Sequence, residues 1–262
     1  KNTVDNVNTI VSANQVAYTA WIDGNGTLRQ RLGELQSGAD NGVWARMFGG
    51  KLGGDEFTNK YKTYQLGYDA QAGEWRVGAA YEYSDGSLNY TSGSGENKIG
   101  AISLYGTLQG KDNSALDIVV KRGRIYGDMD IYGKYSDQGD YSTDATSIGV
   151  EYSKRFDGGN NVYFEPQAQL TFGRIDGYDY VSAKGIRVAY DDINSLIGRL
   201  GIVGGKAFSR GDVYVKASLL HEFSGDSSVT MLAANGESYM EDQDYGDTWL
   251  EVGIGGNITL GK

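Results

Sequence analysis

The chain has 262 residues, a length that suits one large all-β domain or two small ones. It carries 40 Gly and 20 Tyr against a single Pro, and its net charge of −10 argues against nucleic acid as a partner. The lack of Cys excludes disulfides and thiolate metal sites. No stretch approaches the roughly 18 consecutive apolar residues of a transmembrane helix.

The first 41 residues differ in pattern from the rest of the chain. Four small apolar residues fall at rough helical spacing without forming a strong apolar stripe: Val4, Val7, Val11 and Ala17. The segment "TLRQRLGEL" at 27–35 predicts a second short helical piece, with Thr27 as its N-cap. From Val43 onward a strand-like alternation replaces the helical period. We therefore divide the chain into a linker region, 1–41, and a β-domain, 42–262.

The β-domain contains about ten alternating segments. Each is about as long as a membrane-spanning strand or longer. They run near 43–51, 62–72, 74–84, 98–109, 115–127, 145–156, 161–175, 193–208, 212–224 and 247–260.

The connections between these segments alternate in length. Short Gly, Asp and Asn turns are predicted at 72–74, 110–113, 157–160 and 209–212. Long polar loops are predicted at 52–61, 85–97, 128–144, 176–192 and 225–246. This alternation favours an up-and-down antiparallel β-barrel of the outer-membrane type. A β-sandwich would have Greek-key crossings, and a β-propeller would show an internal repeat.

The segment 162–172, "VYFEPQAQLTF", indicates which face of each strand meets lipid. One face is almost wholly apolar: Val162, Phe164, Pro166, Ala168, Leu170 and Phe172. The other face is mostly polar: Tyr163, Glu165, Gln167, Gln169 and Thr171. We expect the apolar face to meet hydrocarbon and the polar face to line a lumen, because only a closed barrel satisfies the backbone of a sheet in lipid. Tyrosines at strand ends are predicted to form an interfacial girdle: Tyr61, Tyr83, Tyr105 and Tyr126.

Five segments in the same chain order resemble one family. They are "LRQRLGEL" at 28–35, "GVWARMFGGK" at 42–51, "YFEPQAQLTF" at 163–172, "NSLIGRLGIVGGKAF" at 194–208 and "WLEVGIGGNITL" at 249–260. Together they are similar to the translocator β-domain of type Va autotransporters. The resemblance implies a transmembrane barrel of about twelve strands, an N-terminal helix that threads the lumen, and a passenger domain upstream.

The resemblance also implies a function. The chain would anchor and export an N-terminal passenger domain at the bacterial outer membrane, without being an enzyme and without a cofactor or metal. The implied partners are outer-membrane lipid, the chain's own passenger domain and the barrel assembly machinery. Some family members cleave their lumenal helix between two consecutive asparagines. The predicted helix here has no such pair, so we do not expect self-cleavage.

Polar residues on the predicted inner face are the candidate site. They are Arg46, Arg76, Glu82, Asp117, Lys121, Glu151, Glu165, Gln167, Arg199, Lys216 and Glu251. They could hold the linker helix through charge-assisted hydrogen bonds. Alternatively, they could only stabilise one another across a solvated lumen.

Two other functions remain open at this point. A porin or surface-adhesion barrel would share the strand pattern. An omptin-like outer-membrane protease would need a His and acidic residues at the outer rim, for which His221 and the pair Asp191-Asp192 are the candidates.

The last strand, 249–260, leads to a further expectation. Its sequence resembles the antepenultimate strand of the family, so two further strands would be missing. An unpaired strand edge is costly in lipid. We therefore expect that this chain does not close into a normal twelve-stranded barrel by itself, and that the strand 43–51 does not pair with the strand 249–260.

Overall fold

The computed structural model describes residues 42–53, 57–90, 93–132, 136–224, 226–232, 238–244 and 248–261. The linker region 1–41 and its expected lumenal helix lie outside the described residues. Within the described ranges, no helix is long and apolar enough to cross a bilayer. The strands are β1 Gly42–Gly53, β2 Phe57–Ala72, β3 Trp75–Tyr90, β4 Gly93–Gln109, β5 Ser114–Ile131, β6 Asp137–Lys154, β7 Phe156–Asp157, β8 Val162–Ile175, β9 Tyr178–Val181, β10 Arg187–Tyr190, β11 Ile193–Phe208, β12 Gly211–Glu222, β13 Asp226–Leu232, β14 Ser238–Asp244 and β15 Thr248–Gly261.

Ten of these strands form a closed antiparallel barrel. Their order is β1-β2-β3-β4-β5-β6-β8-β11-β12-β15, and β15 pairs back to β1. The two-residue strand β7 pairs with the start of β8. The predicted all-β, up-and-down barrel of about ten strands is therefore confirmed.

The contact between β1 and β15 corrects one expectation. Ala45 lies opposite Ile258 and Phe48 lies opposite Gly255, in a ladder that runs along both strands. The prediction that this chain does not close by itself is wrong. Ten tilted strands can enclose a lumen, and closure pairs the edge N–H and C=O groups that hydrocarbon cannot satisfy.

The two faces of the strands divide as predicted. On β8, Phe164 and Phe172 are exposed on the outside, whereas Glu165 and Gln167 are buried inside. The predicted tyrosine girdle is half right, because Tyr83 and Tyr126 point outward. Tyr61 and Tyr105 are buried on the inner face. A shift of one residue moves a side chain to the other face of a strand, so position near a strand end does not decide orientation.

The abundance of Gly and Tyr has a structural explanation on the inner face. Six aromatic residues lie directly across the ladder from a glycine: Trp44 and Gly67, Tyr61 and Gly50, Tyr105 and Gly78, Tyr141 and Gly127, Tyr163 and Gly205, Tyr214 and Gly255. A Cβ on any of these glycines would overlap the facing ring. Each glycine therefore makes room for an aromatic ring to lie flat across the neighbouring strand.

The two ends of the barrel differ. At the end where β1 begins, the connections are short, such as 73–74 and 209–210. At the other end, the predicted loops 52–61, 85–97 and 128–144 are mostly continued strand, which corrects the sequence prediction. The alternation fades there because water touches the outer face above the membrane. The two longest connections there contain β9, β10, β13 and β14, which pair into a separate four-stranded sheet. By the usual asymmetry of such barrels, this end is extracellular.

Candidate functional site: the barrel lumen

The inner face of the barrel has two zones. Charged and amide side chains occupy the middle and the periplasmic half, and we call this part the charged zone. Apolar side chains occupy the extracellular end. The sequence analysis predicted a polar lumen and did not anticipate the apolar zone.

Arg199 is the most connected side chain of the charged zone. From β11, its guanidinium donates to Gln169 Oε1 at 2.7 Å, to Gln167 Oε1 at 2.9 Å and to Ser218 Oγ at 2.9 Å. It also forms an ion pair with Glu151 of β6. Arg199 and Glu151 are each 3% exposed. One planar donor group thus ties together four strands, β6, β8, β11 and β12.

A second network crosses the opposite wall. Lys121 Nζ lies 2.8 Å from Glu82 Oε1. Gln65 Nε2 donates to the other oxygen of Glu82 at 3.1 Å, and Arg46 donates to Gln65 Oε1 at 3.2 Å. A cation, a carboxylate, an amide and a second cation therefore follow one another across β5, β3, β2 and β1.

Two more sets of hydrogen-bonded side chains lie nearer the periplasmic end of this wall. Arg76 donates to Asp69 Oδ1 at 3.1 Å, and Tyr105 donates to Asp69 Oδ2 at 2.6 Å. Trp44 Nε1 in turn donates to the Tyr105 hydroxyl at 2.8 Å. On the next strands, Thr107 donates to Asp117 Oδ1 at 2.5 Å.

The remaining predicted residues lie on β8, β12 and β15. Lys216 Nζ is 2.9 Å from Glu251 Oε1, and Tyr61 donates to Glu251 Oε2 at 2.8 Å. Gln167 Nε2 donates to Glu165 Oε2 at 2.7 Å, and Arg155 Nε lies 3.6 Å from Glu165 Oε1.

All eleven predicted side chains are thus buried, none of them more than 8% exposed. Ten are ionisable, five cations and five anions, so their formal charges balance. Sequence reasoning missed Asp69, Gln65, Arg155 and Asp212, and it placed Gln169 in the lumen without naming it as a site residue. The strand period could have found Gln65 and Asp69, which share the inner face of β2.

The apolar zone closes the extracellular end. Ile125, Ile193, Ile197 and Trp249 of the barrel are each at most 2% exposed there. The β9–β10 hairpin adds Tyr178, Val188 and Tyr190 to the same cluster. The rings of Tyr141 and Tyr178 stack at 4.5 Å, and those of Tyr178 and Tyr190 lie 4.6 Å apart. The hairpin is tied to β6 by a bond from Ala183 N to Gln138 O at 2.8 Å. We call the hairpin and the side chains it covers the outer plug.

The residues proposed for an omptin-like site do not come together. His221 points outward from β12, 2.7 Å from Thr248 Oγ1, with its ring edge against Phe223. Asp192 pairs with Arg174 and accepts from Gly177 N at 2.6 Å. Among the described residues, His221 has no carboxylate within ion-pair distance.

Comparison with known proteins identifies the family. The family model described as "Autotransporter beta-domain" matches residues 43–262. This chain belongs to the autotransporter β-domain family. It is therefore a translocator domain and an integral β-barrel of the bacterial outer membrane.

Curated relatives agree with this assignment. The pertactin autotransporter of Bordetella parapertussis is 29% identical, over 94% of this chain and 28% of its own length. The BrkA autotransporter of Bordetella pertussis is 28% identical, over 97% of this chain and 26% of its own. The serine protease Sat autotransporter of Escherichia coli is 26% identical and matches over 20% of its length. The chain thus spans between 20% and 28% of the length of these relatives.

Solved structures share the fold. The translocator domain of the autotransporter NalP from Neisseria meningitidis aligns over 95% of this chain and 98% of its own, with a TM-score of 0.62 at 12% identity. The β-domain of the Bordetella autotransporter BrkA aligns over 84% of this chain and 99% of its own, with a TM-score of 0.59 at 23% identity.

Proposed function

We propose that this translocator domain exports its own passenger through the lumen, with residues 1–41 as the linker held inside, and that the barrel itself performs no catalysis. The observation that carries the proposal is the charged zone. Its side chains come from all around the barrel wall and face a common interior.

A charged zone suits a passing polypeptide for a physical reason. An extended chain or a helix end carries backbone N–H and C=O groups that need partners in the membrane interior. Groups such as Arg199, Glu82 and Gln167 can exchange one partner for another without entering hydrocarbon. With Asp69, Asp212 and Arg155 included, the charged zone has six cations and seven anions, so the wall attracts neither sign of passenger strongly.

The linker is expected to form a helix over about residues 5–20. A helix without an apolar face is stable only where polar groups surround it. The charged zone supplies such groups, so we propose that the eleven predicted residues both pair with one another and hold the linker. Outer-membrane lipid around the barrel, and the barrel assembly machinery during insertion, complete the proposed set of partners.

We also propose that the barrel carries no catalytic site. The one His of the chain, His221, faces outward beside Phe223 rather than a carboxylate. A general base needs a placed partner within hydrogen-bond reach. A rim protease site built on His221 therefore has no support.

Export is tested by fusing a reporter domain upstream of Lys1 and expressing the fusion in a Gram-negative host. We expect the reporter to become accessible to external protease on intact cells. The control fusion carries the same reporter on a chain shortened to 42–262. A reporter that stays periplasmic, while the barrel migrates as a folded, heat-modifiable species, would contradict the export role.

The lumenal position of the linker has its own test. The chain has no Cys, so single cysteines report cleanly. We expect a cysteine at Ala13 to react with a membrane-impermeant maleimide much more slowly than one at Lys184, which lies exposed at the turn between β9 and β10. Equal rates would place the linker outside the lumen.

A further inference from the structure

Five cations point away from the barrel near the extracellular edge of its apolar band. They are Lys51, Lys60, Lys62, Lys98 and Arg122, all exposed, and we call them the outer cation belt. On the same face of β2, Lys62 lies next to Tyr64 and Leu66, on their extracellular side. On β5, Arg122 directly follows Ile118 and Val120. This position is the level of lipid headgroups, since apolar bands of such barrels end at the interface.

Ion pairs with described residues do not neutralise the belt cations. Arg124, on the same outer face, pairs with Asp144 at 3.2 Å. By contrast, within the described ranges no belt cation has a carboxylate within 4.0 Å. Arg122 donates instead to Thr146 Oγ1 at 2.6 Å. Asp85 lies opposite both Lys62 and Lys98 in register, but forms no ion pair with either.

Two of the lysines lie directly opposite each other. Lys51 of β1 faces Lys60 of β2 in the ladder, and both side chains are exposed. Like charges in this position destabilise a sheet unless an anion lies between them. These two cations face each other although the whole chain carries a net charge of −10.

We propose that the outer cation belt binds the phosphate groups of lipids in the outer leaflet. Lysine and arginine are the side chains that bind phosphate most strongly, and basic clusters at a membrane surface attract anionic headgroups. Neighbouring strands lie about 4.8 Å apart, so β2 and β4 are separated by about 10 Å. The lysines of β1 and β2 therefore form one phosphate subsite and Lys98 of β4 forms a second, whereas Arg122 lies opposite Ile102, four residues along the ladder from Lys98. The proposal rests on the barrel's proposed contact with outer-membrane lipid.

The test uses the 262-residue chain in a nonionic detergent, with diphosphorylated lipid A as the probe and native mass spectrometry as the readout. Replacing all five belt residues by Gln should weaken lipid A binding at least about tenfold, as expected for the loss of several charge-assisted contacts. The control variant Lys111→Gln/Lys154→Gln/Lys206→Gln removes cations at the periplasmic end. It should bind lipid A as the parent chain does. Arginine at the four lysine positions should preserve binding.

Each other outcome overturns the proposal. Unchanged binding by the fivefold variant, or an equal loss in the control variant, would show that the belt is not the site. Displacement of lipid A by millimolar inorganic phosphate alone would show a free-anion site. Equal affinity for phosphatidylcholine would show that negative charge is not recognised.

Heat-modifiable migration checks folding, and the pair variant Lys60→Gln/Lys62→Gln replaces the fivefold variant if that one does not fold. Because reporter export is scored separately, lipid A binding that does not depend on the belt, together with intact export, would overturn this proposal and leave the export role standing.

Discussion

At the scale of single residues, the lumen is stabilised by pairs whose members depend on one another. Burying an ion is costly, and the cost is offset only when a partner of opposite charge and further hydrogen bonds lie close by. Arg199 meets this condition with Glu151, Gln167, Gln169 and Ser218. The glycines opposite aromatic rings belong to the same scale, because one missing Cβ decides where a ring lies.

The first prediction concerns Arg199→Leu. The substitution leaves Glu151 buried without its cation and should destabilise the barrel by about 3–5 kcal/mol. The midpoint of urea unfolding in lipid vesicles measures this loss of stability. Replacing Glu151 by Leu as well should recover most of the loss, because no unpaired charge remains. Equal destabilisation by the single and double variants would contradict the pairing.

The second prediction concerns Gly67→Ala. The new Cβ would lie 2.5 Å from ring atoms of Trp44, so the indole must move and its hydrogen bond to Tyr105 must break. We expect a loss of about 1–3 kcal/mol. Gly106→Ala is the matched control, since its Cβ would come no nearer than 3.4 Å to Trp75. The same urea midpoint compares the two, and equal effects would exclude a steric cause.

At the scale of elements, the proposed export route makes the outer plug the part of the barrel that a passenger would have to displace. The β9–β10 hairpin is short, four residues in each strand, and its ladder to β13 has only four residue pairs. Few backbone bonds therefore hold it, and the rings of Tyr178 and Tyr190 add packing against Tyr141 and each other. Local openings of such small units cost much less than global unfolding.

The third prediction concerns a disulfide that locks this hairpin to β6. Cysteines at Gln138 and Ala183, adjacent through a backbone hydrogen bond of 2.8 Å, should form a disulfide. Under oxidising conditions we expect reporter export to stop, and reductant should restore it. The control pair Tyr126→Cys/Ser142→Cys joins two barrel strands that are already paired. Export that continues through the locked hairpin would exclude the plug as part of the path.

At the scale of the whole molecule, closure decides whether the chain can exist in a bilayer. Every strand presents an apolar outer face, so the protein should require detergent or lipid. The ladder between β1 and β15 removes the last open edge. Side chains from the two neighbours of β1 then meet on the inner face, as Tyr61 of β2 and Glu251 of β15 do.

The fourth prediction tests this closure. Cysteines at Ala45 and Ile258, which are register partners, should cross-link in the folded 262-residue chain. Cysteines at Ala45 and Val215 should not, because Val215 lies on the next strand, β12. Mobility on gels without reductant separates the two results. If the first pair fails to cross-link in folded protein, the edge of β15 is open, as the resemblance to twelve-stranded relatives had suggested.

Much of the lumen could be predicted because the strand period is two. Once Phe164 and Leu170 were assigned to lipid, Glu165 and Gln167 had to face inward. The same parity placed Arg199, Glu151 and Lys121. The prediction of an outward position was wrong for Tyr61 and Tyr105, because their aromatic character was given more weight than their place in the strand alternation. Which charge meets which could not be predicted, since partners such as Tyr61 and Glu251 are 190 residues apart.

The sequence by itself determined the membrane-spanning barrel, its two faces and its family, because these depend on local alternation and on short motifs. Only the tertiary structure decided how the barrel ends. Whether β15 meets β1 depends on the tilt and register of all ten strands together. The outer plug likewise depends on contacts between Tyr141, Tyr178 and Tyr190, which come from separate strands. No local pattern marks such contacts, because a tyrosine in a long polar connection has the same sequence signal whether it packs inside or faces water.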